Sequence, residues 1–472
     1  MKRAIWYAVV LLPALTVLAF TQILSAEGAK CRVRHTIVAA SGDAAPAGGN
    51  YLIFSFINAS LNARHSVAFD AFISGQPPTS GIFVRDGKTT STVALGANPD
   101  PAAPSFGTVM DPFITNNGEV VFNGDLGVFR SNGRSIVPLV RIGDPVPGVG
   151  TLASLLGARA VNDRGAIAYA AGVSGAAAGQ VIFRADGART TTIARDDVDP
   201  PTGGKFTALL TLDMNNRGQV AFKSEMTGGS ADNGVFRGEG GRLTPIFVTN
   251  QIAPGGATFQ DFSIPEINEQ GQVATIGLLT NGASNAGMFV GDGRETVAIA
   301  LDGQPAPKGG NYSILESFKL NDRGEVAFLS RLTGASSGVF RGNGKRTTTL
   351  ALAGTSAPGT TGVFQSFGDV LELENDGRVA FVAQLATGVG GVDSSNNLGI
   401  WVGTSEEDLK LLVRTGDNID GKVLTNLPFF DITGHPLDMN GNDVLWRGSF
   451  GAVKAFVLSR IAGDDNGGNE ED

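Results

Sequence analysis

The sequence predicts an all-β chain folded as a single closed eight-bladed β-propeller over residues 32–462, with four antiparallel strands per blade. Three observations carry this. A pattern close to Asn-x-x-Gly-x-x-x-Phe starts at Asn62, Thr115, Asn162, Asn215, Asn268, Asn321, Glu374 and Asn440, and five of the seven steps between starts are 53 residues. Each copy holds about four short runs of β-forming residues bounded by turn residues, which is the arithmetic of a propeller blade. Finally, the last copy lacks a fourth strand, and Arg34–Ser41, at the other end of the chain, matches that strand in position.

The first strand of each copy ends in an apolar residue just before the motif: Leu61, Ile114, Val161, Met214, Ile267, Leu320, Leu373 and Met439. The motif itself is hairpin chemistry. Asn at the first turn position can bond the backbone two residues on, and Gly at the fourth supplies a positive φ. In the first copy His65 stands at the Gly position, and His is among the residues that visit that region. The second strand follows as Val-Ala-Phe, as in Val220–Phe222 and Val326–Phe328. The third pairs an apolar residue with an aromatic, as in Val235–Phe236 and Ile400–Trp401, and leads into an Asp-Gly or Asn-Gly turn such as Asp186-Gly187, a strong two-residue hairpin signal. The fourth is Thr-rich and β-branched, as in Thr347–Ala351, and runs into a Pro/Gly connector. An N-terminal strand that completes the C-terminal blade removes both free sheet edges, and an open solenoid would not need it. The seventh copy carries an insertion near Gly388–Asn397.

Outside the repeat, Lys2 and Arg3 precede an apolar run from Ala4 to Phe20 and small residues at Ser25 and Ala26. That layout predicts a signal peptide over residues 1–26 and a secreted or periplasmic protein, the other reading being a retained N-terminal anchor. No later stretch is long and apolar enough to span a bilayer. Residues 463–472 read as an acidic disordered tail. With Cys31 as the one cysteine, no internal disulfide can form. The formal charge is −9 with no basic stripe, which excludes the footprint of a nucleic-acid binder.

The repeat resembles the exported bacterial "choice-of-anchor tandem repeat NxxGxxxF-containing" family. The likeness rests on Asn62, Asn162, Asn215, Asn268, Asn321 and Asn440, on Gly118, Gly165, Gly218, Gly271, Gly324 and Gly377, and on Phe69, Phe122, Tyr169, Phe222, Phe328 and Phe381. It implies export and a repeat fold, and it implies no particular activity. Members often end in a sorting or anchor segment. This chain ends in GDDNGGNEED, from which release is the expectation.

Reactive groups are sparse. His35, His65 and His435 offer no pair at metal-ligand spacing. Gly334–Gly338 matches G-x-S-x-G without the strand-turn-helix setting that chemistry needs, and Gly81–Thr89 resembles a phosphate loop but falls on a hairpin. The candidate site lies two residues before the motif, at the end of the strand expected to line the channel. There the copies carry Asp213, Glu266, Lys319, Glu372 and Asp438. If these converge at one mouth, oxygen ligands suit a hard cation such as Ca²⁺ or a polyhydroxylated ligand. The bland reading is a polar strand end. The function expected is therefore a non-enzymatic extracytoplasmic binding or scaffold module for a glycan, a peptide or a surface protein. Two alternatives stand beside it: a polysaccharide hydrolase or lyase with a carboxylate pair in the channel, and a structural envelope or matrix component.

Overall fold

The computed structural model describes residues 33–462 apart from 54–57, 76–78, 97–104, 176–177, 335 and 431–435. The segments read as signal peptide and acidic tail, and Cys31 and His435 with them, lie outside the described residues.

Among the described residues eight antiparallel sheets of four or five strands follow one another along the chain, with a two-stranded ribbon of Asn418–Ile419 and Lys422–Val423 between the last two. Blades 1 to 7 span residues 51–95, 110–141, 145–195, 205–248, 258–301, 312–352 and 364–414, and blade 8 is formed by 437–461 with 33–40. Val33–Ala40 pairs with Val453–Ile461, from Val33 opposite Ile461 to Ala40 opposite Ala455, so the two chain ends share one sheet. Inner strands touch round the ring, and Ala59–Leu61 of blade 1 meets Leu437–Asn440 of blade 8. The propeller is closed, as the split last repeat requires.

The repeated aromatics fill the space between sheets. Within a blade the second-strand and third-strand aromatics stack across the ladder: Phe69 on Phe83 at 5.5 Å, Phe222 on Phe236 at 5.7 Å and Phe328 on Phe340 at 5.5 Å. All six are fully buried. Aromatic pairs of this kind add about 0.5–1.5 kcal/mol to their burial. A register shift sits beside the third-strand aromatic in one blade after another, as at Ile182/Phe183, Val235/Phe236, Val339/Phe340 and Ile400/Trp401, and such bulges increase the twist a blade needs.

Candidate functional site

The inner strands set the channel, and the motif residues join the blades around it. Asn268 is 4% exposed. Its Oδ1 accepts the Gln272 amide at 2.9 Å, closing its own hairpin, while its Nδ2 donates to the carbonyl of Asn321 in the next blade at 3.0 Å. Asn62, Asn162, Asn215 and Asn321 reach one repeat onward in the same way. The residue after the motif residue repeats the device: the amides of Asp163, Asn216, Glu269 and Asp322 donate to the side chains of Asn216, Glu269, Asp322 and Asn375. The motif is thus an inter-blade clasp as well as a turn.

The residues two places before the motif serve the same purpose. Asp213 accepts the Ile267 amide at 2.9 Å, Glu266 the Leu320 amide at 2.8 Å, and Asp438 the Leu61 amide across the closing seam at 2.8 Å. Lys319 Nζ lies 3.2 Å from Glu372 and 3.9 Å from Glu266. Burial pushes the carboxyls of Glu266 and Asp438 up to about 7, against the pull of Lys319 in both cases. It raises Asp213 as well. The charge of Glu372, then that of Glu266, holds the Lys319 ammonium well above its ordinary range despite burial.

The five lie near enough for their charges to act on one another, with Lys319 bearing on Asp213, Glu266, Glu372 and Asp438, and they border more than one hollow. Asp213 borders a cavity of 480 Å³ at the motif-turn end of the channel, rimmed by Asn116, Asp163, Asn216, Glu269, Asp322 and Asn375. Glu266, Lys319 and Glu372 line a second chamber of 400 Å³ with Ile264 and Phe318. Their side chains are 26%, 30% and 21% exposed, so a ligand can reach them. Among the described residues no three His, Cys, Asp or Glu side chains are grouped to hold a metal ion. The Lys319 ammonium already supplies the positive charge between Glu266 and Glu372, so this triad does not fit Ca²⁺.

A polar node on blades 1 to 3 is absent from the residues the repeat singles out. Asp111 accepts from the side-chain amides of Asn58 and Asn123, and its own amide donates to Asp70 at 3.1 Å. Arg159 donates to Asn123 Oδ1 at 3.1 Å and to the Asp111 carbonyl at 2.8 Å. One signal was available: Asp70 and Asn123 stand where blades 3 and 5 to 7 carry Ala170, Ile276, Leu329 and Val382.

A family model described as a family of unknown function (DUF7453) matches residues 21–177 and again 61–429, together well over half of the chain. The chain belongs to that family. No curated protein matches this DUF7453 member. Solved structures it is similar to include the β-propeller domain of the Trilobed protease from Pyrococcus furiosus, at 11% identity over 77% of this chain and 100% of that one, with a TM-score of 0.39. The WD40 domain of SCAP from fission yeast matches at 11% identity over 91% and 98%, with a TM-score of 0.41. A puromycin-hydrolyzing peptidase of Mycobacterium tuberculosis matches at 12% identity over 88% of this chain and 58% of that one, with a TM-score of 0.39. The DUF7453 chain therefore spans little more than half the length of that peptidase.

Proposed function

We propose that the protein is an exported, non-enzymatic binding propeller whose ligand is a saccharide seated in the chamber of Glu266, Lys319 and Glu372. The observation that carries this reading is the pairing of that charged triad with Ile264, which is 59% exposed, and Phe318 on the same wall. An apolar patch suits the C–H face of a sugar ring, and a carboxylate–ammonium–carboxylate row accepts from and donates to ring hydroxyls. Export follows from the reading of residues 1–26 and from the likeness to an exported repeat family.

The hydrolase alternative draws on one observation. Glu266 and Glu372 lie 3.9 and 3.2 Å from the one Lys319 ammonium, which brings two carboxyls together, as glycosidase chemistry requires. The ammonium, however, lies against both carboxylates, where the scissile bond would have to sit. Binding of a panel of neutral, amino and uronic oligosaccharides to residues 27–472, with Glu372→Gln and Lys319→Met beside the native chain, tests the proposal. Native binding lost in both variants, with the sugars recovered intact, is the expected result. Cleaved sugars would replace binding with catalysis, and no binding to any member would overturn the saccharide reading.

A further inference from the structure

The chamber on blades 5 to 7 is built in two tiers. Glu266, Lys319 and Glu372 stand two residues before their motif residues, Ser263, Glu316 and Asp369 stand five before, and all six line the one cavity of 400 Å³. The apolar wall of Ile264 and Phe318 suits a sugar ring of any kind. The charge is more selective. Lys319 is the one cation among the lining residues, set against the carboxyls of Glu266, Glu316, Asp369 and Glu372.

Part of that negative charge is already answered. Among the described residues Glu372, unlike Asp213, Glu266 and Asp438, takes no amide from the next blade, and it holds Lys319 at 3.2 Å instead. Glu266 is left less complete. Its Oε2 takes the Leu320 amide at 2.8 Å, while its Oε1 stands 3.9 Å from Lys319, beyond hydrogen-bond reach, on a side chain open enough to meet a ligand. Burial without a close cation keeps this carboxyl at about 7. Glu316 pairs with Arg331 at 2.8 Å, but Arg331 is 64% exposed and stands outside the lining of the chamber, so water screens its charge. A neutral sugar leaves this excess of negative charge as it is, a uronic acid adds to it, and an ammonium offsets it.

We propose that the saccharide of this chamber is an amino sugar, whose free ammonium meets Glu266 Oε1 and Glu316 while the Lys319–Glu372 pair meets its hydroxyls. An ammonium carries three donors and no acceptor, which matches carboxylate oxygens, and bonds between two charged groups are roughly twice as strong as neutral ones. Lys319 and Glu372 supply a donor and an acceptor side by side, which a hydroxyl satisfies at once. A lysine side chain would bring the same ammonium without the hydroxyls or the ring face. This inference rests on the saccharide reading of the chamber.

The test measures binding of glucosamine oligosaccharides with free amines, of their N-acetylated forms and of uronic oligosaccharides to residues 27–472, by calorimetry near neutral pH. Acetylation removes the charge and leaves the rest of the sugar in place. The free-amine form should bind about tenfold more tightly than the acetylated one, the fold-change of one charge-assisted bond, and the uronic form should bind least. Glu316→Gln should cut the preference for the amine about threefold. Glu266→Gln, which keeps an oxygen for the Leu320 amide, gives a second reading of the same ratio. Equal affinity for the amine and acetylated forms, a preference for the uronic form, or the full preference kept in both variants overturns the amino sugar and leaves the saccharide reading standing. A trilysine peptide bound as tightly as the amine oligosaccharide overturns it as well. Absence of binding to any sugar by the native chain overturns both readings.

Discussion

A single motif asparagine performs two tasks, and its chemistry makes them separable. Asn268 closes its own turn through Oδ1 and holds the next blade through Nδ2. Asn268→Asp keeps the acceptor but sets a carboxylate oxygen against the Asn321 carbonyl. Asn268→Ala removes both bonds, together with the Nδ2 donation to Gln272 Oε1, and leaves a buried carbonyl short of a donor, at about 1–3 kcal/mol. Both should lower stability in urea unfolding, and an aspartate variant as stable as native would show that the inter-blade bond contributes nothing. The channel carboxyls make a prediction of opposite flavour. Glu266 and Asp438 titrate near 7 when folded, against ordinary values of 4.5 and 3.8. Between those limits the folded chain holds protons that the unfolded chain has released, so stability falls as pH rises through that window. The thermal midpoint should be higher at pH 5 than at pH 8, and Glu266→Gln with Asp438→Asn should flatten the dependence. A midpoint that climbs with pH in this window, and goes on climbing in the variant, would contradict the assignment.

The turn and third strand of neighbouring blades form the next unit of organisation. Arg184, Arg237 and Arg341 leave the third strand of one blade and donate to the carbonyls of Gly218, Gly271 and Gly377 in the motif turn of the next. Gly377 has a φ of +92°, and a Cβ there would lie 1.6 Å from Arg341 Nη1. Glycine is therefore required twice, once by the turn and once by the arginine above it. Gly377→Ala should cost roughly 1–3 kcal/mol, and adding Arg341→Ala should recover the steric share, a non-additivity that a double-mutant cycle reads directly. Strict additivity would remove the arginine from the account. The turn was legible in the sequence because Asn and Gly at fixed offsets dictate local backbone. The arginine contact was not, since a repeat period says which residues are equivalent and nothing about which side chain crosses a seam. The Asp70, Asp111 and Arg159 node was hidden for a related reason: its members occupy different positions in three blades, and superposing repeats discards what only one blade carries.

Closure is the property of the ring as a whole, and it depends on eight residues from the far end of the chain. The period of 53 residues and the incomplete last copy made this readable, because an antiparallel sheet with a missing edge strand needs that strand from somewhere. The seam it secures differs in chemistry from the others. His65, at a φ of 67°, takes the glycine position and pairs with Asp443, which Arg460 also holds at 2.8 Å. Behind it, His35 Nδ1 and Trp446 Nε1 both meet Ser459 Oγ at 2.7 Å, joining the first strand to the last blade. Removing residues 1–41 deletes the ladder against Val453–Ile461 and uncovers the buried edge of blade 8, a loss of roughly 5 kcal/mol or more from the backbone bonds alone. Relative to residues 27–472, this variant should unfold at a lower urea concentration and self-associate through the bared edge, as size-exclusion chromatography would read. A synthetic peptide of residues 33–41 added in excess should restore the monomer, since an unpaired edge is a template for an added strand. A truncated chain that stays monomeric with its native midpoint would mean that the inter-blade clasps hold the ring without its closing strand.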